Sequence, residues 1–199
     1  MKGRSVALAI CLWLLSASGR AQRSVTLAIQ PLGRVDPVLV DSARAAISEI
    51  YGVGSITALP VQPLPKSAFY EPGKRYRAEK LLEYLDDRRA DQYSRIVGLT
   101  TVDISTTKGQ PYDWGIFGMA NLKNSACVIS TYRLGKGRVS GALFTERFKK
   151  VVSHEVGHTF GLPHCTIPGC IMNDVAGSIK TIDQSSGKLC SWCRGHLRI

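Results

Sequence analysis

The chain has 199 residues, of which 44% are hydrophobic and 21% charged, the composition of an ordinary globular protein of about one domain. This excludes a disordered, collagenous or coiled-coil chain, and a single long apolar run excludes a multi-span membrane protein. The net charge is +11, from 26 Lys and Arg against 15 Asp and Glu. No dense basic run with interleaved aromatics accompanies it, so no nucleic-acid partner is expected.

The first segment reads as a leader. Met1–Arg4 is short and basic, Val6–Leu15 is apolar, and Ser16–Ala21 is small and polar, with Gly19 and Ala21 suited to cleavage before Gln22. This is the three-part layout of a secretory signal peptide, too short for a comfortable membrane span. The plainer alternative is a buried helix. Cys11 invites a lipoprotein reading, but Ile10 before it is large where a small residue is expected. Losing residues 1–21 removes Lys2, Arg4 and Arg20 and lowers the charge to +8. Residues 22–199 are expected to form one domain.

Ser24–Gln30 is β-rich and apolar, a first strand. Asp36-Pro37 supplies a helix cap and first-turn proline, and the helix runs to about Tyr51 with Val40, Ala43, Ile47 and Ile50 on one face. Ser55–Leu59 is a second strand. Four prolines make residues 60–73 a loop. Tyr76–Arg89 is a second helix with Leu81, Leu82 and Leu85 apolar. Arg95–Ile104 is nearly all apolar, hence a central strand. Trp114–Ala120 and Ala126–Leu134 are two further strands, and Ser140–Leu162 is a long third helix. From Pro163 the chain is loop-rich, with one more short helix near the end. The expected fold class is α+β (α/β-like): a mixed twisted β-sheet flanked by helices, with a small C-terminal lobe over residues 163–199.

The third helix carries His154-Glu155-Val156-Gly157-His158. Histidines at i and i+4 share one helical face, so both imidazoles can reach one ion. Glu155 sits about 100° round the helix from His154. It is badly placed to ligate the same ion but can reach a water on it, as a general base requires. Gly161 supplies a left-handed exit, Pro163 prevents the helix resuming, and His164 returns as a third ligand. Three histidines with an open fourth position are the arrangement of catalytic zinc. Three of the chain's four histidines fall here. His196 is left as a surface residue.

Four of the six cysteines follow the helix: Cys165, Cys170, Cys190 and Cys193. The Cys-x-x-Cys pair is a frequent half-site for structural Cys₄ zinc, and the Pro168-Gly169 loop can fold Cys165 and Cys170 inward as the other half. Two disulfides are the competing reading in an exported protein. Cys127 lies inside a strand and reads as a buried free thiol. Two zinc ions per chain are expected on the zinc reading.

The segment H154-E-x-x-H-x-x-G-x-x-H164-C165-x₄-C170-x-M172-x₁₇-C190-x-x-C193 resembles the archaemetzincin (archaelysin) family of zinc metallopeptidases in the metzincin clan. The resemblance implies a metzincin-type fold. It implies that His154, His158 and His164 bind catalytic zinc and that Glu155 is the general base. It implies that Met172 is the Met-turn residue, an apolar floor under the imidazoles, and that the four cysteines hold a structural zinc. It implies a sheet-edge strand that pairs with an extended peptide, for which Trp114–Ala120 is the candidate. No tyrosine follows Met172 to assist, as happens in some metzincins.

The function expected is a zinc-dependent metallopeptidase, aminopeptidase-like on short peptides, hydrolysing by zinc-activated water with Glu155 as base. Asp174 and Asp113 are the candidates to anchor a substrate amine, though both also suit turns. One alternative is a catalytically silent zinc-stabilised binding module. Another, an exported redox protein using Cys190 and Cys193, lacks a thioredoxin-like context. The expected partner is a peptide or protein substrate, with no stable membrane insertion after leader removal and a monomeric state. Localisation is expected to be periplasmic or extracellular if the leader is a signal peptide, and otherwise cytoplasmic, as is usual for the family.

Overall fold

The structure is a computed structural model that describes residues 25–110, 112–122, 125–175, 177–197 and 199. The leader expected at residues 1–21 lies outside them. Among the described residues no helix is long and apolar enough to cross a membrane.

Strand β1 (Thr26–Leu32) leads to helix α1 (Pro37–Tyr51), which opens as the sequence predicts. The Asp36 side chain accepts from the Val38 N–H, Pro37 takes the first turn, and Gly52 closes the helix at φ 66°. Strands β2 (Ser55–Ala58), β3 (Phe69–Tyr70) and β4 (Arg75–Arg77) come next. Helix α2 (Ala78–Arg88) buries Leu81, Leu82 and Leu85, the stripe read from the sequence. It starts later than expected because residues 75–77 pair as a strand. The proline-rich loop also holds two single 3₁₀ turns.

The expected strand over residues 95–104 divides. Strand β5 (Arg95–Thr100) stays in the main sheet and β6 (Ile104–Thr106) joins a second one. The polar break between them is held by side-chain bonds: Thr101 Oγ1 donates to the Arg34 carbonyl, and Arg133 donates two bonds to the Asp103 carboxylate at 2.7 and 2.8 Å. The stretch over residues 114–120 divides likewise into β7 (Trp114–Ile116) and β8 (Gly118–Ala120). The chain turns at Phe117, whose side chain is buried in the core while its carbonyl accepts from the Ser130 N–H. Strand β9 (Ala126–Ser130) stops before the expected Leu134.

The main sheet has the order β2-β1-β5-β9-β8, parallel except for β8, which runs antiparallel to β9 at the edge. The second sheet has the order β3-β4-β6-β7. Strand β5 is central, and β5 and β9 are almost wholly buried. One face of the main sheet packs against α2 through Leu81, Leu85 and Val128. The other packs against α1 and the long helix α3 (Gly141–Thr159) through Ile47, Val97, Val152 and Val156. Two short helices follow, α4 (Ile179–Gln184) and α5 (Ser191–Gly195), in a tail with little regular structure.

Candidate functional site

Helix α3 enters capped by Ser140, whose hydroxyl accepts from the Leu143 N–H. From Arg147 onward almost every residue is buried, so its last three turns are core on all sides. The exit is a Schellman turn. Gly161 adopts φ 85°, the Leu162 N–H donates to the Gly157 carbonyl at 3.1 Å, and the Gly161 N–H donates to the His158 carbonyl at 2.9 Å. The chain then doubles back through Pro163 to bring His164 beside His154 and His158. The ring centroids of His164 lie 5.4 and 4.8 Å from theirs.

Backbone carbonyls fix two of the imidazoles. His154 Nδ1 lies 2.7 Å from the Ile171 carbonyl and His158 Nδ1 lies 2.7 Å from the Leu162 carbonyl. A carbonyl only accepts, so both Nδ1 atoms carry the proton and both Nε2 atoms present a bare lone pair. Burial, then the neighbouring His158, pushes His154 down to about 4, and burial also lowers His158. Both rings are therefore neutral near pH 7. Their Nε2 atoms stand 3.1 Å apart with no hydrogen between them, a repulsive contact that a shared cation relieves. One ligand atom from each of the three histidines lies within 4.8 Å of the others. Three converging imidazoles, two of them held by backbone carbonyls so that Nε2 faces the others, fit a zinc ion with an open position.

The four cysteines form a second cluster with the same spread. All are free thiols among the described residues. Cys165 Sγ lies 3.8 Å from Cys190 Sγ, and Cys170 Sγ 3.7 Å from Cys193 Sγ. A tetrahedral ion with sulfur ligands at ~2.3 Å has sulfur–sulfur edges of about 3.8 Å, so the donor set fits zinc. The Cys193 N–H donates to Cys190 Sγ and holds that thiol down at about 7, a step towards the ligating thiolate. Burial pushes the Cys193 thiol up.

The two clusters share one segment. His164 and Cys165 are adjacent. The Cys165 N–H donates to the Met172 carbonyl at 2.8 Å, and Ile171, whose carbonyl orients His154, follows Cys170. The turn between them closes at Gly169, φ 76°. Met172 is fully buried and its sulfur lies against Gly157, between the two helical histidines.

Glu155 points to the opposite side of the helix from this floor. It is 6% exposed and its side chain rests against the backbone of Gly118 on β8. Burial lifts its carboxyl to about 8. Glu155 and the three histidines line one cleft of about 260 Å³, roofed by Trp114 and residues 116–120 and closed below by Asp174, Val175 and Ile182. Buried Arg77 anchors the roof. It donates to the Tyr112 carbonyl at 2.6 Å and to Thr107 Oγ1 at 2.7 Å, and pairs with Glu79, which accepts from Thr106.

Chemically, the cleft offers a cation site, a proton acceptor beside it and an open strand edge. The sequence matches the family described as Peptidase family M54 over residues 61–198. The chain belongs to peptidase family M54. It is 32% identical over 172 residues to the archaemetzincin of Haloquadratum walsbyi, covering 83% of this chain and 95% of that protein. It is 31% identical over 155 residues to the archaemetzincin of Methanopyrus kandleri, covering 78% and 83%. The crystal structure of the Methanopyrus kandleri archaemetzincin superposes with a TM-score of 0.75 at 29% identity, over 87% of this chain and 94% of that one. That of the Archaeoglobus fulgidus archaemetzincin, complexed with malonate, gives 0.71 at 25%, over 87% and 100%. The M54 chain is thus a zinc metallopeptidase with the mixed α/β fold of the archaemetzincins.

Of the other residues singled out, Cys127 is buried in β9 as a free thiol and His196 is exposed, stacked on Trp192. Asp174 lines the cleft. Asp113 does not: it turns to Arg75 and Arg77 at 3.5 and 3.9 Å, so the amine-anchor expectation for it fails. The sequence reading missed Gly118, Tyr51 and the two orienting carbonyls. A glycine inside a strand pattern signals close approach and could have flagged Gly118. In the sequence Tyr51 marks only the helix end, yet its hydroxyl donates to the Ser153 carbonyl under α3.

Proposed function

We propose that residues 22–199 act as one peptidase domain, in which His154, His158 and His164 hold the catalytic zinc. In this reading Cys165, Cys170, Cys190 and Cys193 hold the structural zinc, Met172 is the floor beneath the imidazoles and Glu155 is the general base. When bound, zinc supplies Lewis acidity toward a scissile carbonyl and lowers the pKa of water to near 7. Glu155 Oε1 takes the proton of the attacking water and hands it to the leaving amine. Its place beside the histidines in the same cleft suits both transfers. The Ile171 and Leu162 carbonyls keep His154 and His158 in the tautomer that presents Nε2. Strand β8 ends the main sheet, and its outer edge suits pairing with an extended peptide. The observation that carries this reading is the meeting of Glu155 and three convergent imidazoles in one cleft.

The substrate proposed is a short peptide cut near its amino terminus, with Asp174 receiving the free ammonium. Asp174 supports this by its place in the cleft wall below the histidines. A series of short peptides with free or acetylated amino termini tests it. The expected outcome is cleavage of the free series, with KM raised at least about tenfold, one ion-pair's worth of binding, by Asp174→Asn. Equal cleavage of both series contradicts the amine anchor. The protein is proposed to act as a monomer, exported by residues 1–21. Mature protein beginning at Gln22 is the expected product, read by intact mass.

A further inference from the structure

Two residues of β8 face α3, Gly118 and Ala120, and both are small. Met119 between them packs on the other face of the sheet, with the α2 cluster. A Cβ on Gly118 would lie 2.7 Å from Glu155 Cγ, 2.8 Å from Oε1 and 3.0 Å from Cδ. Side chains do not come that close. Gly118 is also not among the glycines with positive φ, so its backbone is open to any residue. The glycine is there for room, in a strand that glycine weakens.

We infer that Gly118 is the positioning residue for Glu155: its missing side chain is the slot between α3 and the edge strand in which the carboxyl stands. This rests on the reading of Glu155 as the base. With a methyl at 118, either β8 or Glu155 must move. Strand β8 is paired to β9 at Gly118↔Ile129, Met119↔Val128 and Ala120↔Cys127, and β9 is buried throughout. The side chain therefore yields. A displacement of about 1 Å in a reacting group costs about 100-fold in rate, and it falls on kcat because the substrate edge of β8 keeps its place.

The test compares full-length parent, Gly118→Ala, Glu155→Ala and the double variant for zinc content, thermal midpoint, and kcat and KM on a peptide the parent cleaves. Gly118→Ala is expected to keep two zinc ions per chain, lose about 100-fold in kcat and hold KM within about threefold. Its midpoint falls, and the fall disappears when Glu155 is Ala, because the methyl then meets no carboxyl. Parental kcat in Gly118→Ala, or an equal midpoint loss in both backgrounds, overturns the inference. Should Gly118→Ala not fold, folding of the double variant supports the slot and its failure to fold overturns it. Full turnover by Glu155→Ala would refute the base reading alone, while the midpoint coupling still decides the slot.

Discussion

Replacing Gly157 by alanine sets two rules against each other. Gly157 lies in the last turn of α3, between His154 and His158, where alanine in place of glycine ordinarily stabilises by up to about 1 kcal/mol. In this fold the added Cβ would lie 2.5 Å from Met172 Sδ and 2.7 Å from the Tyr51 hydroxyl, against ordinary contacts of ~3.5–4.0 Å. Overpacking of that kind costs about 1–3 kcal/mol. Displacing the hydroxyl also gives up its bond to the Ser153 carbonyl, worth about 0.5–1.5 kcal/mol. Set against the propensity gain, the net is a destabilisation of about 2 kcal/mol, or roughly 4–8 °C in Tm for a chain of this size. Met172 sits on the segment that orients His154, so zinc affinity at the histidines falls with it. Thermal unfolding at fixed zinc, with a competitive chelator titration, reads both. A Gly157→Ala protein more stable than the parent would refute the packing argument.

Cys193→Ser is expected to reduce zinc from two ions per chain to one by elemental analysis, and to weaken the histidine site about 10–100-fold, because the Ile171 carbonyl follows Cys170. In the metal-free protein, Glu155→Gln becomes stabilising as pH rises. Burial lifts the Glu155 carboxyl to about 8, so the folded state favours the protonated form, and that contribution is lost as pH climbs from the ordinary carboxylate range through 8. The Tm difference between variant and parent should grow from about pH 5 to about pH 9; a flat difference contradicts the buried-carboxyl account. Gly161→Ala places a side chain at φ 85° with no steric neighbour within 4 Å. It should cost about 1–2 kcal/mol from backbone strain alone and loosen the carbonyl of Leu162 that holds His158, which chelator titration would detect.

The metal clusters were legible because their signals are local. Histidines one turn apart share a helix face whatever surrounds them, and Gly161 needs its left-handed turn to bring His164 back. The helices were legible for the same reason: Asp36-Pro37 and the leucine stripe of α2 act over a few residues. The strands were misjudged where distant partners decide. Nothing near residue 101 announces that Arg133 will bind Asp103 and bend the chain into a second sheet. Nothing near Trp114 announces that the burial of Phe117 will split one strand into two. Gly118 and Tyr51 act on α3 across the core, so their roles follow from packing and have no periodic signature.

The proposed hydrolysis depends on Glu155 as the base beside the histidine cluster. The most direct measurement is a digest of a defined peptide mixture by parent and Glu155→Ala at equal zinc content, read by mass spectrometry. The expected result is cleavage by the parent, two zinc ions in both proteins, and a loss of about 10²–10⁴-fold in the variant. Comparable cleavage by Glu155→Ala, or loss of the histidine-site zinc from it, would contradict the assignment and make Glu155 a structural residue.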